Sequence, residues 1–340
     1  MGLRFFKRTK LFPGVTLNMS KSGPSLSFGP RGLKHTIGPR GSRTTVGVPG
    51  TGLSYTFDGG KGKPAVASSQ PTAGTREPVL KISDDAASVD EERALLRAVI
   101  AFQSGKVDQA LRHLEAAKGL ADAFWLGGMI HLQASRWSEA ERDLDAAITI
   151  GSLGEAFERN GINAEIAYPI TDELTAHIGP NLQATRLALA EACQELDRNA
   201  VAIQHLEAFL KINPKDPVAA ISYAEIALEA EGTGSEVLLR AVSHLKATLV
   251  PGPFFWIASL MCGRVQSRLG RSEDAILNFM AAIQLDDLPN GIPLLLRYEM
   301  ALCYGETGDR TRCRQELSAV YALDLNFADV GQRLGARTGG

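Results

Sequence analysis

The chain has 340 residues, of which 44% are hydrophobic and 22% charged, with a formal net charge of −2. That composition belongs to a soluble globular protein of two or three domains and excludes a disordered or fibrous chain. The charge is unevenly spread: residues 1–57 hold nine Lys or Arg and no Asp or Glu, giving +9, and the remainder carries −11.

Residues 1–57 are organised by a nine-residue repeat. Glycine stands at 14, 23, 32, 41 and 50, with a second series at 29, 38 and 47. A fixed period implies one structural unit per repeat. Positions five and seven of the units are mostly apolar (Leu17, Met19, Leu26, Phe28, Ile37, Val46, Leu53, Tyr55), and position six is short and polar (Asn18, Ser27, Thr36, Thr45, Ser54). This alternation places the two sets on opposite faces of a strand, so each unit reads as about five residues of strand and four of turn. Pro30, Pro39 and Pro49-Gly50 supply turn residues. An antiparallel meander and a short solenoid both fit, and the hairpin-length connections favour the meander.

The runs Met1-Gly2-Leu3-Arg4-Phe5, Pro13-Gly14-Val15-Thr16-Leu17-Asn18, Ser20-Lys21-Ser22-Gly23 and Pro49-Gly50-Thr51-Gly52-Leu53-Ser54-Tyr55 resemble the bacterial family called domain of unknown function 4236. The resemblance implies a bacterial source and a modular amino-terminal domain, and it brings no activity or catalytic residues with it. The candidate basic patch is Arg4, Lys7, Arg8, Lys10, Lys21, Arg31, Lys34, Arg40 and Arg43. Self-association, with the acidic body or with a partner protein, ranks first for such a patch. Nucleic acid and an anionic membrane surface rank second.

Residues 58–87 shift to Gly, Pro, Ala, Ser and Thr without periodicity. They read as a flexible linker with a random-coil span on the order of 30 Å.

Beyond the linker the period is about thirty-four residues and helical. Taking the turn residue of each unit as reference, Gly105 has Ala98 seven places before it and Ala110, Leu114 and Ala117 at five, nine and twelve places after it. The same offsets recur around Ser135 (Gly128, Ala140, Leu144, Ala147), Asp197 (Ala190, Ala202, Leu206), Gly270 (Gly263, Ala275, Phe279, Ala282) and Gly308 (Ala301, Cys313, Leu317, Val320). Small residues at the first two offsets let antiparallel helices approach closely, and the larger residue wedges between neighbouring pairs. These offsets resemble the tetratricopeptide repeat (TPR), with copies near 91–120, 121–150, 182–215, 255–288 and 293–326 and a looser one at 216–252. Ser138 with Glu141 reads as a capping box and Asp216-Pro217 as a helix start. Residues 326–337 read as a closing helix.

An insertion at 151–180 breaks the array, and Ile162, Ala164, Ile166 and Tyr168 alternate within it in strand fashion. The expected fold class is therefore an α+β multidomain chain. A small all-β domain over 1–57, joined by the linker over 58–87, precedes an all-α TPR-like solenoid over 88–340.

The sequence lacks the motifs of common chemistries. The six histidines are scattered, with no HExxH and no cysteine at ligand spacing. Gly59-Gly60-Lys61-Gly62-Lys63 lacks the spacing of a phosphate loop, and there is no GxSxG elbow. Neither catalytic residues nor a cofactor nor a metal is implied. Cys193, Cys262, Cys303 and Cys313 read as reduced thiols of a cytoplasmic protein, and no apolar run is long enough for a signal peptide or a membrane span.

The expected function is a non-catalytic interaction scaffold. In a TPR stack, positions two, five, nine, twelve and thirteen of each repeat face the groove lined by the first helices. That projection selects Trp125, Met129, Glu191, Glu195, Arg264, Arg268 and Tyr298 as the candidate peptide groove. One alternative is an adaptor whose basic head contacts nucleic acid or membrane, and another is an enzyme whose site carries no recognised motif.

Overall fold

Helix dominates the described residues because small residues recur where helices must touch, and leucine, isoleucine or phenylalanine recurs between them. The computed structural model describes the strands at 26–28, 33–38, 41–48 and 53–59, and residues 88–169, 174–230, 232–286, 288 and 291–335. Of the linker read over 58–87, Asp58 and Gly59 belong to a strand and residues 60–87 lie outside the described residues, as do residues 1–25 and the nonapeptide positions between the strands. One compact unit is Leu17–Arg198 and the other contains Asn199–Gly340.

The first unit carries a six-stranded antiparallel sheet of order β1-β2-β3-β4-β6-β5. Its strands are β1 (Leu26–Phe28), β2 (Leu33–Gly38), β3 (Gly41–Val48), β4 (Leu53–Gly59), β5 (Ile166–Pro169) and β6 (Leu174–Ile178). The first four come from the nonapeptide region and the last two from the insertion. The register aligns Leu33, Val46, Tyr55, Ala176 and Tyr168 in one row, and Lys34, Thr45, Thr56, Thr175 and Pro169 in the next. The apolar and hydroxyl alternation of the repeat thus continues into the insertion across the β4–β6 pairing.

This overturns the expected fold class. Among the described residues, which are mostly helical, no all-β domain stands apart at the amino terminus. The expectation of a free-standing meander joined to an all-α body is corrected accordingly. The physical reason is the edge of β4, whose unpaired N–H and C=O groups need partners, and residues 174–178 supply them.

Helices in the first unit are α1 (Ser88–Gln103), α2 (Val107–Leu114, prolonged by a 3-10 turn at Glu115–Ala117), α3 (Ala121–Gln133), α4 (Trp137–Ile150), α5 (Glu155–Arg159) and α6 (Leu182–Glu195). The second unit has α7 (Asn199–Leu210), α8 (Pro217–Glu229), α9 (Ser235–Thr248), α10 (Phe255–Arg268), α11 (Ser272–Ile283), α12 (Ile292–Glu306), α13 (Arg310–Leu323) and α14 (Val330–Leu334).

Each reference turn residue of the repeat sits in the left-handed region: Gly105, Ser135, Asp197, Gly270 and Gly308 have φ of 73°, 58°, 59°, 72° and 81°. The N–H of the following residue reaches back five places, as in Lys106 to the Ala101 carbonyl and Arg271 to that of Gln266, both 2.9 Å. This is the Schellman ending, which satisfies carbonyls that the helix leaves open. The small residues at the first two offsets, Ala98, Ala110, Ala140, Ala190, Ala202, Ala275 and Ala301, are all fully buried. At Gly263 the approach is closest: a Cβ there would lie 2.3 Å from Cε1 of Phe279. At Gly128 a Cβ would meet Leu144 Cγ at 2.6 Å.

Asp216 accepts from the Ala219 N–H at 2.8 Å, with Pro217 opening α8. The capping box expected at Ser138 and Glu141 does not form, because α4 starts at Trp137 behind Arg136 with no side-chain cap. Glu141 instead binds Arg198 Nη1 through both carboxylate oxygens, at 2.6 and 2.7 Å. At the far end, α14 closes a core of Leu260, Phe279, Leu296, Met300, Phe327 and Val330.

Candidate functional site

In the first unit, the face of the first helices is occupied by the insertion. Asp122, at position two of its repeat, is 1% exposed. Its carboxylate accepts from the backbone N–H of Gly154 at 2.5 Å and of Phe157 at 3.0 Å. Asp122 thereby satisfies the open first turn of α5, which has no side-chain cap of its own. Burial raises the Asp122 carboxyl above its ordinary pKa, against the opposing pull of the Gly154, Phe157 and Ala156 N–H groups. The Phe157 ring stands edge-on to Trp125, with centroids 5.8 Å apart and planes at 79°.

Glu92 in α1 completes the seat. It accepts from Arg159 Nη2 at 2.8 Å and from Asn160 Nδ2 at 2.9 Å. Burial works to raise its pKa, but the bonds from Asn160 and Arg159 outweigh it and hold the carboxyl below the ordinary value.

Of the candidate groove residues in this unit, Trp125, Met129 and Glu191 are completely buried and Glu195 is half-buried. Trp125 and Met129 are therefore closed to solvent in this structure, with Phe157 packed on Trp125. The candidate groove took Trp125 but left out Asp122 and Glu92, although both stand at position two, one of the projected positions. The signal was a carboxylate at that position in both. Nothing in the local sequence pointed to Phe157 or Arg159 as their counterparts.

The second unit keeps a more open charged face. Arg264 donates from Nε to Glu299 Oε1 at 2.7 Å, and both side chains are partly exposed. Arg268 is exposed and lines a cleft of 690 Å³ together with Arg271, Ser272, Glu273 and Glu306. Tyr298 is drawn into the closing contact: its hydroxyl donates to Asp329 Oδ1 at 2.5 Å and its ring lies 5.7 Å from that of Phe327. The bond from Arg333, with that from Tyr298, holds the Asp329 carboxyl below the ordinary carboxylate value. The groove residues Arg264 and Arg268 thus share a face, whereas Tyr298 anchors the terminal helix.

A second cavity, of 550 Å³, lies between α2, α3 and α4. His131 lines it, with Nε2 at 3.5 Å from Asp143 Oδ2, while Arg142 holds the other Asp143 oxygen at 2.9 Å. Burial, with the Asp143 charge opposing it, keeps the His131 imidazole below its ordinary pKa. His244 in α9 is lowered in the same way, burial outweighing the Glu207 charge. All four cysteines are unpaired. Burial pushes the Cys193 thiol up to about 12, and those of Cys262 and Cys303 to about 11. Thiols held that high are poor nucleophiles.

Of the candidate basic patch, Lys34 lies on β2 and Arg43 on β3. Arg4, Lys7, Arg8, Lys10, Lys21, Arg31 and Arg40 fall outside the described residues. No helix among the described residues is long and apolar enough to cross a membrane.

Residues 3–56 match the family described as Protein of unknown function (DUF4236), in agreement with the resemblance seen in the motifs. No curated protein matches the chain. Among solved structures, a crystal structure of MamA is similar at a TM-score of 0.43, with 12% identity over 65% of this chain and 96% of that one. YrrB, described as a TPR protein with an unusual peptide-binding site, gives 0.44 with 16% identity over 60% and 88%. TTC0263, a thermophilic TPR protein in Thermus thermophilus, gives 0.35 with 15% identity over 72% and 97%.

Proposed function

We propose that this chain is a non-catalytic, cytoplasmic scaffold that holds protein segments on the first-helix faces of its hairpins. The observation that carries this reading is the seat at Glu92, Asp122 and Trp125. There the face already holds a stretch of polypeptide through backbone N–H groups, an aromatic ring and a guanidinium. These are the contacts by which a groove takes a peptide. The Arg264, Arg268 and Glu299 face offers a charged counterpart in the second unit.

The test is co-purification with the full chain, comparing the wild type with the Arg264→Glu, Arg268→Glu double variant. Loss of one or more partners supports the reading, and an unchanged partner set overturns it for this face. Arg268→Glu alone, at an exposed position, separates lost binding from lost folding.

The charge of residues 1–57 supports a second reading, an adaptor whose basic segment meets nucleic acid or an anionic surface. If about six of the charges met phosphates of duplex DNA, log affinity would fall against log salt with a slope of about −5. A flat salt response in a mobility-shift titration removes nucleic acid.

A further inference from the structure

Residues 154–160 lie on the face of α1 and α3 as a bound ligand would. Three features set this contact apart from ordinary packing of an insertion. The first is the chemistry of the anchor. Asp122 is a carboxylate at 1% exposure that grips backbone N–H groups at the start of a helical turn. An apolar residue would pack an insertion without the desolvation that a buried carboxylate suffers, whereas a carboxylate aimed at N–H groups reads the opening of a helix whatever its sequence.

The second feature is an imperfect fit. Trp125 is completely buried, yet its indole N–H has no acceptor among the described residues. The chain's own segment covers the ring and leaves the donor unsatisfied. A segment that brought an acceptor to Trp125 Nε1 would bind the same face with one more hydrogen bond.

The third feature is the pair of flanks. Gly151, Ser152 and Gly154 enter the segment with φ of 78°, 57° and 91°, and Gly161 leaves it with 65°. At Gly154 a Cβ would fall 2.8 Å from the Pro180 carbonyl oxygen, so the entry is built for glycine. Left-handed residues thus flank the segment on both sides, at positions where glycine leaves the backbone free to pivot.

We infer that Glu92, Asp122 and Trp125 form a binding site for a short helical-turn segment bearing an aromatic residue followed two places later by arginine, and that residues 154–160 fill this site in cis. The inference rests on the reading of the chain as a scaffold for protein segments and names the ligand class of one of its faces. Aromatic and arginine are specified because Phe157 meets Trp125 and Arg159 meets Glu92, whereas Asp122 meets only backbone N–H groups and so sets no side chain.

The probe is a fluorescein-labelled peptide of residues 152–163, titrated by anisotropy against the full chain. The Phe157→Ala, Arg159→Ala variant, with its own segment weakened, is expected to bind it at least tenfold tighter than the wild type. Adding Asp122→Ala to that variant is expected to remove the gain. Equal binding to wild type and variant, or a gain that survives Asp122→Ala, overturns the inference.

Hydrogen exchange on the unmodified chain decides the case even if the variant fails to fold. The amides of Gly154 and Phe157 are expected to exchange at least a hundredfold faster than those of Leu126 to Ile130 in α3. Exchange in step with α3 would make the segment part of the core and refute the site. Failure here, with the Arg264→Glu, Arg268→Glu variant still losing partners, leaves the scaffold reading standing.

Discussion

Replacing Gly263 by alanine tests the close approach on which the helical pairs are built. A Cβ at this position would lie 2.3, 2.6 and 2.8 Å from three atoms of the Phe279 ring. Phe279 is completely buried and belongs to the core of the second unit, so the ring has no free space to swing into. Forcing a methyl into a packed core costs about 1–3 kcal/mol. Exchanging glycine for alanine inside a helix returns about 0.8–1 kcal/mol. The expected balance is a net loss on the order of 1 kcal/mol.

Gly305 in α12 supplies the control, because a Cβ there would meet only Cys313 Sγ, at an ordinary 3.7 Å. Gly305→Ala is therefore expected to stabilise by about 0.5–1 kcal/mol. Urea unfolding followed by far-ultraviolet circular dichroism reads both. Phe279→Leu in the Gly263→Ala background removes Cε1 and Cζ, the two ring atoms nearest the added methyl, and should recover part of the loss. The double-mutant cycle should show a coupling of about 1 kcal/mol between the two sites. If Gly263→Ala raises the midpoint as Gly305→Ala does, the helices are not in contact at this position and the packing account of the repeat is wrong.

Ser135 holds a left-handed turn with φ of 58°, where a non-glycine residue costs about 1–2 kcal/mol. Ser135→Gly is predicted to raise the urea midpoint, and a lowered one would refute the strain. Reversing one charge of the Arg264–Glu299 pair sets two carboxylates face to face in a partly buried site. Arg264→Glu should cost about 2 kcal/mol, with most of it recovered by adding Glu299→Arg; equal stabilities of single and double variants would show that the pair contributes nothing. His131 and His244 both titrate below their ordinary value because they are buried, near Asp143 and Arg136 in one case and Glu207 and Arg240 in the other. The unfolded chain then binds more protons than the folded one. Stability is complete above about pH 6.5 and falls as pH drops through the folded-state values, by at most ~1.4 kcal/mol per pH unit for each histidine. Unfolding midpoints measured from pH 7.5 to 5.5 should lose much of this slope in the His131→Gln, His244→Gln variant, and an unchanged slope would assign it to other groups.

The helical pairs were legible in the linear order of residues because every feature that makes them is local or nearly so. The small residues Ala98, Gly128, Ala190, Gly263 and Ala301 stand a fixed distance from the turn, and the turn residues from Gly105 to Gly308 are the ones that adopt left-handed φ. Spacing of this kind needs no knowledge of distant neighbours. The alternation at Leu33, Val46 and Tyr55 likewise marked strands, and the motifs over 3–56 marked the family. Ser138 and Glu141 misled because a capping box competes with tertiary partners, and Arg198 takes the glutamate.

The tertiary structure alone decided which surfaces meet. The edge of β4 offers backbone N–H and C=O groups that carry no side-chain code, so its pairing with residues 174–178 could not be read from either segment. The same holds for Trp125. Its place on the groove-facing side of α3 follows from the repeat, but its burial depends on residues 154–160 returning to that face and on Asp122 meeting their N–H groups. Periodicity determines the face that a residue occupies, whereas its occupant is set by contacts between segments that periodicity does not relate.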